Sequence, residues 1–349
     1  MTRRTKHPTL SEVAKKAGVG TTTASRVING GQNVDPKTLA RVQRAIASLG
    51  YVPNQAARTL KGGRTRTIGF VLPSIVDPFF ASCAEAAQAI ARLHDSLLIV
   101  LTTQNDPKTE LDAVDVLIRH RVDGLIIAPC NAEDDLLGKL LSRASIPVVA
   151  LDRPIAGSMF PSVVGNNFAG AQFATRHLIE HGYRRIVCFT GEPDLYTIRE
   201  RIRGYCDAMT SARLKPVVDS SIRDRRSAER ALKRVLGEAS SAEALLTLKN
   251  STTIDTFEVL QENNVEVPGK IALLGYDDFQ LAPTVRPSVS VIQQPIDDMG
   301  HVAAELLFKR LLDSASSQFL GGAPPQQVLL TTKLIRRASC GCSPEASRP

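Results

Sequence analysis

The stretch Thr9-Leu-Ser-Glu-Val-Ala-Lys-Lys-Ala-Gly-Val-Gly-Thr-Thr-Thr-Ala-Ser-Arg-Val-Ile-Asn29 reads as two short helices meeting at a turn. Thr9-Leu10-Ser11-Glu12 has the spacing of a capping box, in which the threonine hydroxyl accepts from the amide three residues on and the glutamate reaches back. Leu10, Val13, Ala14 and Ala17 form one apolar stripe, which predicts a helix over Leu10 to Ala17. Gly18 supplies the permissive backbone of a tight turn. Helical periodicity resumes from Thr21 to Asn29, with Ala24, Val27 and Ile28 inward and Thr21, Thr22 and Arg26 outward. Downstream, Asp35-Pro36 is a cap followed by proline at the first helical position, and Leu39, Val42, Ile46 and Leu49 recur at helical spacing until Gly50. The three segments make a small helix-turn-helix unit, whose second helix can enter the major groove of DNA. There Thr21 and Thr22 would approach base edges and Arg26 would address guanine. The same spacing also fits plain surface residues of a helical bundle.

The charge distribution favours the first of these readings. Residues 1–66 hold thirteen Lys/Arg and two acids, a net of +11, whereas the remainder holds thirty Lys/Arg and thirty-three acids, a net of −3. Phosphate-neutralising charge is thus concentrated on one small module, as double-stranded DNA requires.

This run, followed by Gly50-Tyr-Val-Pro-Asn-Gln-Ala-Ala-Arg-Thr-Leu60, closely resembles the DNA-binding headpiece of the lactose-repressor family of bacterial regulators. The resemblance implies that Thr21, Thr22 and Arg26 read bases, that Asn29 closes the recognition helix, and that Pro53 to Lys61 form a hinge reaching DNA through Arg58, Leu60 and Lys61. Gly20 stands where the family usually has serine and Ala24 where valine is usual; glycine for serine at a helix start costs only a few tenths of a kcal/mol. Asn54 to Lys61 is rich in helix formers but too short to be stable alone, so it should fold only against a partner. In the family two such segments pair over the minor groove, and the residue matching Leu60 wedges into the central base step.

From Thr67 the periodicity changes. Apolar runs at Ile68 to Leu72, Leu97 to Leu101, Gly124 to Ala128, Pro147 to Leu151, Ile186 to Phe189, Ala244 to Leu248 and Ile271 to Leu274 alternate with helical stretches such as Ala81 to His94 and Asn167 to Glu180. Continuous apolar strands separated by helices predict an α/β fold with parallel sheets covered on both faces. Ligands of such sheets bind at the carboxyl ends of the strands. Just past those ends stand Asp77, Phe79 and Phe80, then Asp152 and Arg153, Arg199, Asn250, Asp277 and Gln294. Carboxylates, guanidinium and amides around aromatic faces suit a polyhydroxyl ligand, since each hydroxyl both donates and accepts. Taken singly, Phe79 and Phe80 also read as core and Asp152-Arg153 as a local ion pair.

The resemblance extends over this region and implies a two-lobed core like that of periplasmic binding proteins, with the matching positions contacting an effector. Asn250-Ser251 stands where the family often has Asn-Asp, and Asn166 where Asp is common. The Asp77-Pro-Phe-Phe80 and Asp152-Arg153 pattern looks more like sugar-responsive members than purine-responsive ones. The expected organisation is a headpiece over 1–52, hinge and linker over 53–66, and a core over 67–342 with a tail over 343–349. The first lobe takes 67–164 and 295–322, the second 165–294 and 323–342.

Six cysteines are scattered without a paired CxxC, and Cys340-Gly341-Cys342 has no matching second pair of ligands in sequence, so neither a metal nor a cofactor is expected and this segment reads as a minor tail. No apolar run nears the roughly 20 residues of a membrane span, and the basic start lacks a signal's apolar stretch, which favours a cytoplasmic, nucleoid-associated protein. The sequence therefore reads as an effector-responsive transcriptional regulator, a repressor, binding operator DNA as a homodimer and controlled by a sugar. The residues after Arg337 hold no leucine heptads that would make a tetramer. The alternatives are a purine-type effector and a solute-binding protein without DNA function. A solute-binding protein would need a secretory signal and no headpiece. An enzyme is disfavoured by the absence of GxxxxGK[ST], GxSxG and HExxH.

Overall fold

The computed structural model describes residues 8–28, 34–52, 64–130, 136–155, 157, 160–237, 242–315 and 327–342. Asn29, Arg58, Leu60 and Lys61 lie outside them. The chain divides into two compact units, Met1–Thr65 and Arg66–Pro349.

In the first unit, α1 (Leu10–Ala17), α2 (Thr21–Ile28) and α3 (Pro36–Leu49) follow the sequence punctuation closely. The Thr9 amide donates to Glu12 Oε2 at 2.7 Å and the Glu12 amide to Thr9 Oγ1 at 3.3 Å, closing the capping box. Gly18 ends α1 in the left-handed region at φ 62°, and Gly50 ends α3 likewise at φ 60°. Asp35 caps α3 by accepting from the Thr38 amide at 3.0 Å. Val13, Ala17, Val27, Val42 and Ala45 form the core, and Ile46 and Leu49 are half-buried against it. Leu39 is exposed; Ala45 takes the inward position on α3 instead.

The second unit contains two six-stranded sheets. The first has the order β11-β5-β4-β3-β1-β2 and is parallel throughout, with β1 (Thr67–Leu72), β2 (Leu97–Thr102), β3 (Gly124–Ile127), β4 (Val148–Leu151), β5 (Ser162–Gly165) and β11 (Gln327–Leu330). The second has the order β12-β10-β9-β8-β6-β7, with β6 (Ile186–Phe189), β7 (Val217–Asp219), β8 (Ala244–Thr247), β9 (Ala272–Tyr276), β10 (Ser290–Gln293) and β12 (Lys333–Ile335). Only β12 runs antiparallel to its neighbour in this sheet. The two orders match strand for strand, so each lobe repeats the other.

Helices α4 (Pro78–Leu93), α5 (Pro107–Arg119), α6 (Leu136–Ala144) and α11 (Ile296–Ala315) cover the first sheet, and α7 (Asn167–Glu180), α8 (Tyr196–Ser211), α9 (Arg225–Leu236) and α10 (Asn250–Glu262) the second. Burial on both faces is why the inner strands read as unbroken apolar runs; the centres of β3, β4, β6 and β8 are buried along their whole length. The chain passes between lobes after β5, after β10 and between β11 and β12. The last passage differs from the expected 322/323 boundary, because β11 pairs with β5 in the first sheet from Gln327 to Leu330. Its apolar run is only Val328, Leu329 and Leu330, and its side chains alternate between exposed and half-buried, which leaves the strand weakly marked in the sequence. Among the described residues no helix is long and apolar enough to cross a membrane.

Candidate effector site and nucleic-acid interface

The carboxyl ends of the two sheets face a cavity of about 250 Å³. The first lobe lines it with Pro73, Ser74, Asp77, Phe79, Phe80, Gln104, Asn105, Asp152 and Arg153, and the second with Leu195, Thr197, Ile198, Arg201, Lys249, Asp277 and Gln294.

Each lobe ends its fourth strand in an aspartate of left-handed backbone: Asp152 at φ 67° after β4 and Asp277 at φ 68° after β9. Their amides donate to the neighbouring strands, Asp152 to Val163 O at 2.9 Å and Asp277 to Ile292 O at 2.8 Å. A non-glycine residue in this region is strained by roughly 1–3 kcal/mol and recurs at ligand sites. Asp152 accepts from Arg153 Nε at 3.1 Å, and Arg153 Nη1 donates to Asn105 Oδ1 at 3.1 Å. Burial pushes the Asp152 carboxyl above its usual range against the pull of Arg153 and Arg201. Asp77 caps α4, accepting from the Phe79 amide at 3.1 Å, and burial raises it too.

On the opposite wall Arg201 is the organising cation. It donates to Asn167 Oδ1 at 2.7 Å, to Leu248 O at 2.7 Å and to Asp277 Oδ2 at 3.2 Å, and its guanidinium lies 3.7 Å from the centre of the Tyr276 ring. Burial works against its charge, yet Asp277, Tyr276 and Asp152 outweigh it and hold its pKa above the ordinary value. Gln294 Nε2 donates to Asp277 Oδ1 at 2.6 Å. Gln294 Oε1 is buried with no hydrogen-bond partner among the described residues. Gly165 leaves it room, since a Cβ there would come within 2.6 Å of that oxygen.

Seven of the nine residues expected around a ligand therefore line this cavity: Asp77, Phe79, Phe80, Asp152, Arg153, Asp277 and Gln294. Phe79 and Phe80 belong to the apolar core as well, 7% and 6% exposed, and meet edge to face with centroids 4.9 Å apart. Two expectations are corrected. Arg199 points to solvent, and Arg201 stands in the cavity. On α8 the buried residues Thr197, Ile198, Arg201, Gly204, Tyr205 and Ala208 follow a helical period that Arg199 breaks. Asn250 accepts from the Ser251 amide at the start of α10, while the preceding Lys249 lines the cavity and pairs with Glu192 at 3.0 Å. Gln104 and Asn105, past the end of β2, carried no sequence signal beyond that position.

Three carboxylates and three cations line the walls, so the cavity suits a neutral polar molecule better than an anion. The unpartnered Gln294 acceptor, packed against Gly165, costs about 1–3 kcal/mol. In the first unit Thr21, Thr22 and Arg26 are exposed on one side of α2, opposite the buried Ala24 and Val27.

Residues 9–54 match the family described as bacterial regulatory proteins, lacI family, and residues 65–337 match periplasmic binding proteins and sugar binding domain of LacI family. The chain is 30% identical over 334 residues to the HTH-type transcriptional repressor PurR of Aliivibrio fischeri (strain MJ11), covering 94% of this chain and 99% of that protein. It is 32% identical to the HTH-type transcriptional regulator GalR of Salmonella typhimurium (strain SL1344), covering 85% of this chain and 88% of that one. A lac repressor dimer solved bound to operator and the anti-inducer ONPF superimposes with a TM-score of 0.83 at 25% identity, covering 96% of this chain and 99% of that chain. With the two matches together spanning most of its length, this chain belongs to the lacI family of bacterial regulatory proteins.

Proposed function

We propose that this protein is a sugar-controlled transcriptional repressor that binds a pseudo-palindromic operator as a homodimer. The observation that carries the reading is the pairing, on one chain, of the basic first unit exposing Thr21, Thr22 and Arg26 with the Asp152/Asp277 cleft in the second. Thr21, Thr22 and Arg26 read bases, and Asn29, Arg58, Leu60 and Lys61 complete the DNA contact. Such a protein acts at cytoplasmic, nucleoid-associated DNA, and its relatives are repressors and regulators rather than enzymes.

A sugar is preferred over a purine on two grounds. Phe79 and Phe80 stand at 88° to one another and present no parallel pair of faces between which a flat base could be held. The rest of the cavity combines carboxylates, cations and amides, which can both accept from and donate to hydroxyls. Two copies are required because one headpiece reads only a half-site.

The test is a thermal scan of the full chain against pentoses, hexoses, disaccharides and purine bases, with light scattering on the same sample. A sugar at about a hundred times its Kd should stabilise the protein by roughly 2.7 kcal/mol, a rise of several degrees. The scattering mass should be twice the 37.7 kDa of the chain. Stabilisation by purine bases alone would contradict the sugar assignment, and a tetramer would contradict the dimer.

A further inference from the structure

A second constellation lies at the other end of α7 from the cleft. That helix begins at Asn167, which holds Arg201, and carries His177 in its last turn with His181 as its C-cap. Ten residues at about 1.5 Å each separate Asn167 from His177, roughly 15 Å along the axis. Two histidines four positions apart share one face of a helix. Onto that face folds the short turn Ala338–Cys340, followed by Gly341 and Cys342.

His177 Nε2 lies 3.3 Å from Cys340 Sγ and 3.5 Å from Cys342 Sγ, and His181 Nε2 lies 3.2 Å from Cys342 Sγ. The four ligand atoms all fall within 4.8 Å of one another. Gly341 makes the reversal possible: it sits at φ 94°, and a Cβ on it would come within 2.9 Å of Tyr183 Oη. A zinc ion bound at about 2.3 Å to sulfur and about 2.0 Å to nitrogen places its ligands at tetrahedral edges of roughly 3.3–3.8 Å. The three N···S separations of 3.2, 3.3 and 3.5 Å are close to that, and the cluster closes as one group of four instead of two separate pairs.

We propose that His177, His181, Cys340 and Cys342 form a structural Cys2His2 site for Zn2+ that fastens the C-terminal segment to the end of α7. Two thiolates neutralise the dication, and the borderline-soft mixture of sulfur and imidazole nitrogen favours zinc over magnesium or calcium. Four protein ligands leave no open position, which makes the site structural, not catalytic. Cys340 and His177 are buried, while His181 is exposed and Cys342 half-buried, so the ion has a route in from solvent. The sequence reading of Cys340 and Cys342 as a minor tail does not reach these neighbours, because His177 and His181 lie 161 to 165 positions away.

The test uses the full chain purified in a phosphine reductant, with metal content measured by plasma mass spectrometry. About one zinc per chain is expected, and exchange with Co2+ should give the visible bands of a tetrahedral site and a thiolate charge-transfer band. Cys342→Ser and His181→Gln change the solvent-facing half of the site, so both should fold, with most of the metal lost. A chelator should lower the melting temperature of the parent by several degrees and leave the variants unmoved. A folded parent that takes up well under one zinc even after incubation with the ion, or variants that keep a full complement, would overturn the site.

Discussion

Arg201→Ala should abolish the ligand-induced thermal shift and lower the melting temperature of the second unit, whereas Arg199→Ala should change neither. Arg201 is 3% exposed and Asp277 8%, so removing the guanidinium strands a buried carboxylate together with the Leu248 carbonyl and the Asn167 amide oxygen. Breaking a buried ion pair from one side costs about 3–5 kcal/mol. Gln294 still donates to Asp277, which places the expected loss toward the lower end of that range. Arg199 is exposed, and substitutions of that kind stay within about 0.5 kcal/mol. Arg201→Lys should be intermediate, since it retains the charge but loses the fork that spans three acceptors. Thermal unfolding and calorimetric titration decide the matter. An Arg201→Ala protein with parental stability and ligand affinity would remove the residue from the site.

Arg26→Ala should weaken binding to the cognate operator by about 1–3 kcal/mol and relax base preference at the position it faces. Because Arg26 is exposed and outside the Val13/Val27/Val42 core, the headpiece itself should fold as before. Binding to a scrambled duplex at the same salt should change far less, since that binding depends on phosphate charge, of which one arginine is a small part. Equal losses on both duplexes would mean that Arg26 contacts only phosphate; no loss on either would place another face in the groove.

The parts of the fold that the sequence displays are those where local chemistry and burial agree. Thr9 and Glu12, Asp35, Gly18 and Gly50 announce the ends of α1 and α3 because each satisfies a helix-end backbone group, and Pro36 fits the first helical position because it has no amide donor to satisfy. Among the inner strands, β1, β3, β4, β6, β8 and β9 are equally plain because both of their faces are covered. Strands β5, β7, β10, β11 and β12 escape detection, because each holds only two or three consecutive apolar residues and their partners are set by chain crossings that no local pattern records. The site shows the same division. Asp152 and Asp277 can be found as acids just past apolar runs, but choosing Arg201 over Arg199 requires tracing the buried face of α8 from Thr197 and Ile198. The pairing of His177 with Cys340 depends wholly on tertiary folding.

We propose that the cleft and the operator are linked through one dimer. The most direct measurement is the affinity of the stabilising sugar for the full-length protein, by calorimetry, with and without saturating operator duplex. Linkage requires the two affinities to differ, by about 5–150-fold for a coupling of roughly 1–3 kcal/mol, and the sugar must change operator affinity by the same factor. Identical sugar affinities in the two states would contradict the account, even if sugar and operator each bound tightly.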